Sequence, residues 1–365
     1  MTYDFLIVGA GLFGSVFARE ATDQGYSCIV IDKRSHIAGN CYTKNIDGID
    51  VHKYGPHIFH TSNKKIWDYI NRFTEFEQYQ HNVMANYFDS IYQLPFNLNT
   101  FYKMFGTYKK EEILEAIDQS RFKGDPQNLE EYALSIVGEG IYRKLIYGYT
   151  KKQWGVEPRN LPKFIIARLP FRFTFDNSYY NHRYQGIPKH GYTKIFENLL
   201  DGSDVYLETD FFEKRSTLEK IAKRIVYTGP IDRFYNYSFG ELDYRSLRFE
   251  EIKLEQESFQ GCSQMNYTDE ATPYTRIIEH KFFKRSPTKN TIITKEFPSQ
   301  YKETGDPYYP INNQKNSYIL HKYKSMINDK YIFGGRLAEY KYYDMHQVVG
   351  SALKTIEKLG LNKTT

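Results

Sequence analysis

The sequence predicts an α/β fold carrying two insertions, and three observations support that prediction. Asp4-Phe5-Leu6-Ile7-Val8 is a short apolar run that ends in Gly9-Ala10-Gly11-Leu12-Phe13-Gly14, the G-x-G-x-x-G spacing. From about 99 to 148 the apolar residues recur at helical spacing. Between 247 and 297 they fall instead into short runs rich in Thr, Ile and aromatics, broken by polar turns. The first pattern is that of a Rossmann-like dinucleotide-binding domain. The second reads as an inserted, mainly helical domain, and the third as an antiparallel β-sheet domain.

Taken in order, Leu12 with Val16, and Phe13 with Phe17 and Ala21, fall at i,i+4, so a helix follows the glycine turn at once. Cys28-Ile29-Val30-Ile31 is the next strand, with Asp32 at its end. The chemistry asks for this order. The first glycine permits the turn, the second admits a pyrophosphate, and the third lets helix lie on strand while the helix N-terminus faces the anion. Asp32 accepts hydrogen bonds from the adenosine ribose and repels a 2′-phosphate. Lys33-Arg34 and a second glycine turn, Ala38-Gly39-Asn40, come next. Ile66, Tyr69, Ile70 and Phe73 mark an amphipathic helix with Ser62 or Asn63 as cap. The stretches 83–87 and 90–94 read as a hairpin turning near Asp89. Helices follow at 111–119, 129–137 and 141–147, punctuated by Gly124, Pro126 and Gly138. The segment 171–191 is aromatic without periodicity and reads as a lid. Residues 224–227 return to the nucleotide-binding sheet. The stretches 247–254, 264–267, 276–280 and 291–297 build the antiparallel sheet. The chain closes with a strand at 331–333, Gly334-Gly335-Arg336, and a helix marked by Val348, Val349, Ala352, Leu353 and Ile356. The domain division read from this is 1–80, 190–243 and 315–365 for the nucleotide-binding domain, 81–189 for the helical domain with its lid, and 244–314 for the sheet domain.

The chain has 365 residues, a net charge of +5 and three scattered cysteines with no C-x-x-C pair, so neither a disulfide framework nor a zinc site is suggested. The mild charge suits a small anion better than a nucleic acid, and no apolar run reaches the roughly 18 residues of a membrane span. With the first strand almost at the start of the sequence, a cytoplasmic protein is expected. The 34 tyrosines offer flat apolar faces with polar tips, suited to sugars and nucleobases, although most must serve half-buried packing.

The early nucleotide turn, the inserted domains and a late Gly334-Gly335-Arg336 favour FAD over a nicotinamide, with Arg336 set to pair with the pyrophosphate. With those features in place, the chain resembles the prokaryotic UDP-galactopyranose mutase family from end to end. The match is carried by Gly9 to Gly14 and by Gly55-Pro56-His57-Ile58-Phe59-His60-Thr61. It continues in Gly148-Tyr149-Thr150-Lys151-Lys152-Gln153-Trp154-Gly155, Arg172-Phe173-Thr174-Phe175-Asp176-Asn177 and Tyr184-Gln185-Gly186-Ile187-Pro188. Towards the end it is carried by Tyr274-Thr275-Arg276-Ile277-Ile278-Glu279-His280-Lys281, Pro307-Tyr308-Tyr309-Pro310 and Gly334-Gly335-Arg336-Leu337-Ala338-Glu339-Tyr340-Lys341-Tyr342-Tyr343-Asp344-Met345.

The resemblance implies a three-domain FAD enzyme, active when reduced, that interconverts UDP-galactopyranose and UDP-galactofuranose with no net redox change. In the family the reduced flavin N5 attacks the anomeric carbon and displaces UDP, and the furanose supplies cell-surface polysaccharide. Arg168 and Arg276 resemble the family's two diphosphate arginines. Glu296 and Asp344 match carboxylates that order them, and His60 matches a residue beside the flavin. Tyr149 and Trp154 match the uridine-binding pair, and Tyr179, Tyr309 and Tyr342 match tyrosines on the diphosphate. Thr150 and Arg245 complete the implied substrate set. The implied cofactor set is Gly9, Gly11, Leu12, Phe13, Gly14, Asp32, Lys33, Arg34, Gly39, Asn40, His57, Ile58, Gly335, Arg336, Tyr343, Asp344 and Met345, with no metal. Asp32 stands where the family commonly has glutamate, Ala38 where glycine is usual, and Pro56 where alanine is frequent. A homodimer without nucleic-acid or membrane partners is expected. Three other readings stay open on sequence: a flavin oxidase of a small substrate, a mutase for the N-acetylated sugar, and a non-catalytic nucleotide-sensing protein.

Overall fold

The computed structural model describes residues 2–167 and 169–361. Its organising layer is a parallel sheet of five strands in the order Asp204–Tyr206, Cys28–Ile31, Tyr3–Val8, Ala222–Tyr227 and Tyr331–Phe333. Strand side chains alternate between faces, and the two faces fill two separate cores. Phe5, Ile7, Val30 and Val226 pack with Val16, Phe17, Phe196 and Val349 on one side. Leu6, Ile31, Ile225 and Tyr227 pack with Phe211, Leu218 and Phe234 on the other. Covering both faces is what a parallel sheet requires, and each such side chain contributes about 1.5–3 kcal/mol of burial.

The glycine turn behaves as the spacing demands. A Cβ on Gly14 would stand 2.1 Å from the Gly9 carbonyl oxygen, so only glycine lets the helix Leu12–Asp23 lie this close to the strand. That helix starts at Gly11 with no side-chain cap, which leaves its first amide groups for a ligand. Ala38 holds a left-handed φ of 76°, the conformation glycine takes without strain. Of the two caps considered for the next helix, Lys64–Asn71, Asn63 is the one used, accepting from the amides of Lys65 and Ile66.

The helical region comprises Leu98–Phe105, Lys110–Asp118, Leu129–Ile141, a π-helical stretch Tyr142–Tyr147, and Gly148–Trp154. Phe101, Ile113, Ile117, Leu129, Val137 and Leu145 close its core. Gly138, at φ 69°, kinks the third helix. A second sheet of seven strands runs Tyr309–Pro310, Tyr244–Leu254, Thr291–Gln300, Arg276–Glu279, Gln264–Tyr267, Val83–Tyr87 and Ser90–Leu94. All its pairings are antiparallel except that of Gln264–Tyr267 with Val83–Tyr87.

The hairpin at 83–94, assigned from sequence to the helical stretch 81–189, therefore belongs by hydrogen bonding to the second sheet. Its side chains explain the assignment, because Val83, Ala85, Tyr92 and Leu94 point into the helical core. Backbone pairing to a strand some 180 residues later leaves no local pattern. The aromatic segment ends in Tyr184–Pro188, the middle strand of a three-stranded sheet with Phe59–Thr61 and Phe76–Gln78. Arg172 pairs with Asp176 at 2.8 Å, and Asn97 donates to the Asp176 carbonyl and Asn177 side chain, so this segment is tied to the helical region.

Candidate active site

The site begins with strand register. Arg276 and Glu296 are direct partners across the antiparallel pair, and Glu296 is fully buried. Their side chains meet at 2.7 Å between Nη2 and Oε2. Arg276 Nε and Glu296 Oε1 are also buried, and neither has a hydrogen-bond partner among the described residues. A guanidinium held by one carboxylate, with a buried donor left over, is built to receive a second anion. The glycine of Gly55-Pro56-His57 lies against the pair: at φ +93°, its Cβ would be 3.2 Å from Glu296 Oε2 and 3.7 Å from Arg276 Nη2.

Around the pair stand tyrosines. Tyr309 stacks on Tyr342 with centroids 5.5 Å apart and planes inclined by 19°. The ring centres of Trp154 and Tyr309 are 6.4 Å apart, with planes inclined by 49°. Burial raises the hydroxyl pKa of Tyr149 and of Tyr309; the Glu296 charge adds to both shifts and Arg276 opposes them. Both phenols are thus neutral donors near neutral pH. Tyr179 is close enough to Tyr149 to contribute to its shift and packs edge-on to His81 at 5.6 Å.

Helix Gly148–Trp154 carries Tyr149 and Trp154 and is fixed from beneath. Lys152 donates to the carbonyls of Tyr267, Thr272 and Tyr274 at 2.9, 2.9 and 3.1 Å, and burial pushes its ammonium pKa down to about 8. Arg245, also buried, donates through Nε to the Gln153 carbonyl at 3.0 Å. Arg245 is thus placed to position Trp154, and Thr150 on the same helix is buried.

Next to this pocket is a cavity of about 270 Å³ between the glycine turn and the carboxyl ends of the first sheet. Gly9, Gly11, Leu12, Phe13, Asp32, Lys33, Arg34, Gly39, Asn40, His57, Gly335, Arg336 and Met345 line it, all expected from sequence. Asp32 accepts the amides of Ala10 and Arg34, both at 2.9 Å. Phe13 packs under the Gly334-Gly335 backbone, where a Cβ on Gly334 would fall inside its ring. Arg336 donates to the carbonyls of Tyr343 and Tyr308 and has no carboxylate partner among the described residues. Its guanidinium also lies 5.8 and 5.7 Å from the ring centres of Tyr309 and Tyr342, which joins the cavity to the pocket. His57 sits at the same junction: Nδ1 lies 2.8 Å from the Gly55 carbonyl, which makes it the protonated nitrogen and leaves Nε2 an acceptor. Burial, reinforced by Arg336 and Arg276, pushes the His57 pKa down to about 4.

Four expected cofactor residues do not line the cavity. Gly14 works by close approach, Ile58 is in a core cluster with Ile187 and Ile278, Tyr343 bonds Glu339, and Asp344 caps helix Met345–Leu359. His60 is buried and contacts His182 rather than the cavity. Arg168 lies outside the described residues. Sequence reading missed Thr209, Asp210, Thr228 and Arg233 in the lining. Thr228 was within reach, since it follows the strand read as returning to the sheet.

The fold and the site define a dinucleotide-binding enzyme of Rossmann type with an arginine–tyrosine pocket beside the cavity. A family profile described as UDP-galactopyranose mutase matches residues 144–342, and one for an NAD(P)-binding Rossmann-like domain matches 7–73. The chain is 41% identical over 368 residues to a probable UDP-galactopyranose mutase of Klebsiella pneumoniae, covering 97% of this chain and 94% of that one. It is 39% identical over 362 residues to the dTDP-fucopyranose mutase of Escherichia coli, covering 96% of each. A crystal structure of reduced UDP-galactopyranose mutase superposes with a TM-score of 0.80 at 14% identity, covering 99% of this chain and 94% of that one. The chain belongs to the UDP-galactopyranose mutase family.

Proposed function

We propose that this enzyme interconverts the pyranose and furanose forms of a nucleoside-diphosphate galactose, UDP-galactopyranose and UDP-galactofuranose, using reduced FAD. The observation that carries the proposal is the half-satisfied Arg276 guanidinium beside Glu296, walled by Tyr149, Tyr309 and Tyr342. The residues fit the cofactor. A Cβ on Gly39 would stand 3.1 Å from Gly11 Cα, so both backbones border a cradle that any side chain would fill. Arg336, a cation without a carboxylate partner among the described residues, suits a pyrophosphate at its centre. Asp32 retains lone pairs for a ribose beyond the two amides it accepts. When bound, reduced flavin supplies a nucleophilic nitrogen, N5, for the sugar's anomeric carbon.

The chain's own part is to bind, orient and neutralise. Arg276, with Arg168, takes up the charge that grows on the diphosphate as its bond to the sugar breaks. Glu296 holds Arg276 in that orientation. The phenols of Tyr149, Tyr179, Tyr309 and Tyr342 donate to diphosphate oxygens, and Trp154 stacks on the pyrimidine. Arg245 holds the helix that presents Trp154. The neutral His57 offers a fixed acceptor at the cofactor edge. No residue among these is required to form a bond to the sugar, in keeping with a cofactor that does so.

A second reading, dTDP-fucopyranose as substrate, is favoured by the 39% identity to the Escherichia coli enzyme of that name. Both substrates share a pyrimidine, a diphosphate and a galactose-configured ring, so the same residues serve either. No helix among the described residues is long and apolar enough to cross a membrane. A cytoplasmic homodimer delivering furanose to cell-surface polysaccharide completes the proposal. The test is to incubate flavin-loaded, dithionite-reduced protein in parallel with UDP-galactose and dTDP-fucopyranose, separate the sugar nucleotides by anion exchange and identify furanose by NMR. Furanose from UDP-galactose supports the first reading, furanose from dTDP-fucopyranose alone supports the second, and none from either overturns both.

A further inference from the structure

A second cluster of ligating side chains comes from three separate segments. His60 is on strand Phe59–Thr61, His182 is in the aromatic segment just before strand Tyr184–Pro188, and His346 is in the first turn of helix Met345–Leu359, which Asp344 caps. The ring centres of His60 and His182 are 4.8 Å apart, those of His60 and His346 5.4 Å, and those of His182 and His346 5.1 Å. Three imidazoles bound to one tetrahedral ion at about 2.0–2.1 Å would place their ring centres roughly 5 Å apart. The ring centres match that spacing, whereas the ligand nitrogen of His182 must turn inward to join those of the other groups. The ligand atoms of His60, His346 and a carboxylate oxygen of Asp344 all lie within 4.8 Å of one another. His346 Nδ1 is buried and has no hydrogen-bond partner among the described residues. His60 Nδ1 and His182 Nδ1 face each other at 2.6 Å, one donating to the other.

We propose that His60, His182, His346 and Asp344 form a zinc-binding site. Imidazole nitrogens with a single carboxylate select a borderline ion such as Zn²⁺ over Mg²⁺ or Ca²⁺, which take oxygen ligands. On binding, the proton between His60 and His182 leaves, and their nitrogens separate from 2.6 Å to about 3.3 Å. Because Asp344 and His346 sit at one helix start, the ion draws on a preset pair and needs only the other two to adjust. The site would stitch the aromatic segment to strand Phe59–Thr61 and to the C-terminal helix.

The test is calorimetric titration of Zn²⁺ into the FAD-loaded full chain in a non-chelating buffer, with zinc-edge X-ray absorption on the loaded protein. The expected result is one ion per chain with nitrogen and oxygen scatterers at bonding distance that carry imidazole signatures. His346→Gln and His182→Ala should each weaken binding at least about tenfold. His321→Ala, an exposed histidine elsewhere, should leave it unchanged. Circular dichroism and retained flavin establish that each variant is folded. Absence of saturable binding to the parent, or affinity equal to the parent's in folded His346→Gln or folded His182→Ala, overturns the site and leaves a hydrogen-bonded histidine cluster.

Discussion

Removing the Arg276 side chain should damage stability and turnover by different routes, and the two can be separated. In Arg276→Met, Glu296 stays fully buried and loses the partner now 2.7 Å away. Breaking a buried pair this way costs about 3–5 kcal/mol of stability, because the remaining charge is uncompensated. Turnover should fall by about two to three decades, the usual cost of losing one donor on a developing anion, roughly 2.7–4 kcal/mol. The double variant Arg276→Met/Glu296→Leu removes the orphaned carboxylate and fills its volume, so most of the lost stability should return. Turnover should not return with it. The assay pairs urea unfolding of each variant with chromatographic furanose formation by reduced, flavin-saturated enzyme. A double variant within tenfold of the parent rate would refute the reasoning, since the pair would then be serving the fold alone.

Trp154→Ala should weaken UDP binding by about 1–3 kcal/mol, as loss of base stacking does, with flavin retained; an unchanged affinity in a UDP titration would make Trp154 structural. Gly39→Val should yield protein with little flavin, because it places a branched side chain at φ +52° and within 3.1 Å of Gly11 Cα; a full flavin-to-protein absorbance ratio would contradict this. Stability should fall as pH drops below about 6.5. Burial depresses His57 to about 4 and His81 and His280 to about 3, so the unfolded chain takes up protons that the folded chain refuses. The contribution is complete above the ordinary histidine range and is lost on acidification towards those values, at up to about 1.4 kcal/mol per pH unit for each histidine. Unfolding free energies that stay flat from pH 6.5 to 5 would contradict it.

The parts of the fold legible in the sequence were those specified locally. Tyr3–Val8, the glycine turn, Leu12–Asp23 and Cys28–Ile31 stand where periodicity and glycine spacing put them. The strands at 264–267 and 331–333 were equally clear, as was the hairpin at 83–94. What stayed hidden depended on long-range pairing. The attachment of that hairpin to Gln264–Tyr267 is one case. The pairing of Phe59–Thr61 and Phe76–Gln78 with Tyr184–Pro188 is another. The helix Gly191–Leu200 was also missed, although Tyr192, Ile195, Phe196 and Leu199 are buried along one face of it.

The site shows the same division. Motif likeness singled out Arg276, Glu296, Tyr309 and Tyr342, but only register across Arg276–Glu279 and Thr291–Gln300 reveals that Arg276 and Glu296 are a pair. Arg245 could be matched by sequence as a site residue, whereas its hold on the Gln153 carbonyl appears only in three dimensions. His182 and His346 carried no signal, because nothing local ties either to His60.

The activity proposed for this chain is contraction of a galactose ring on a nucleoside diphosphate with flavin in its reduced state. The most direct measurement compares initial rates of UDP-galactofuranose formation by one flavin-loaded preparation, oxidised in air and reduced with dithionite. Steady furanose formation by the reduced enzyme and almost none by the oxidised one is expected, with flavin still reduced at the end. Equal rates in the two states would contradict it.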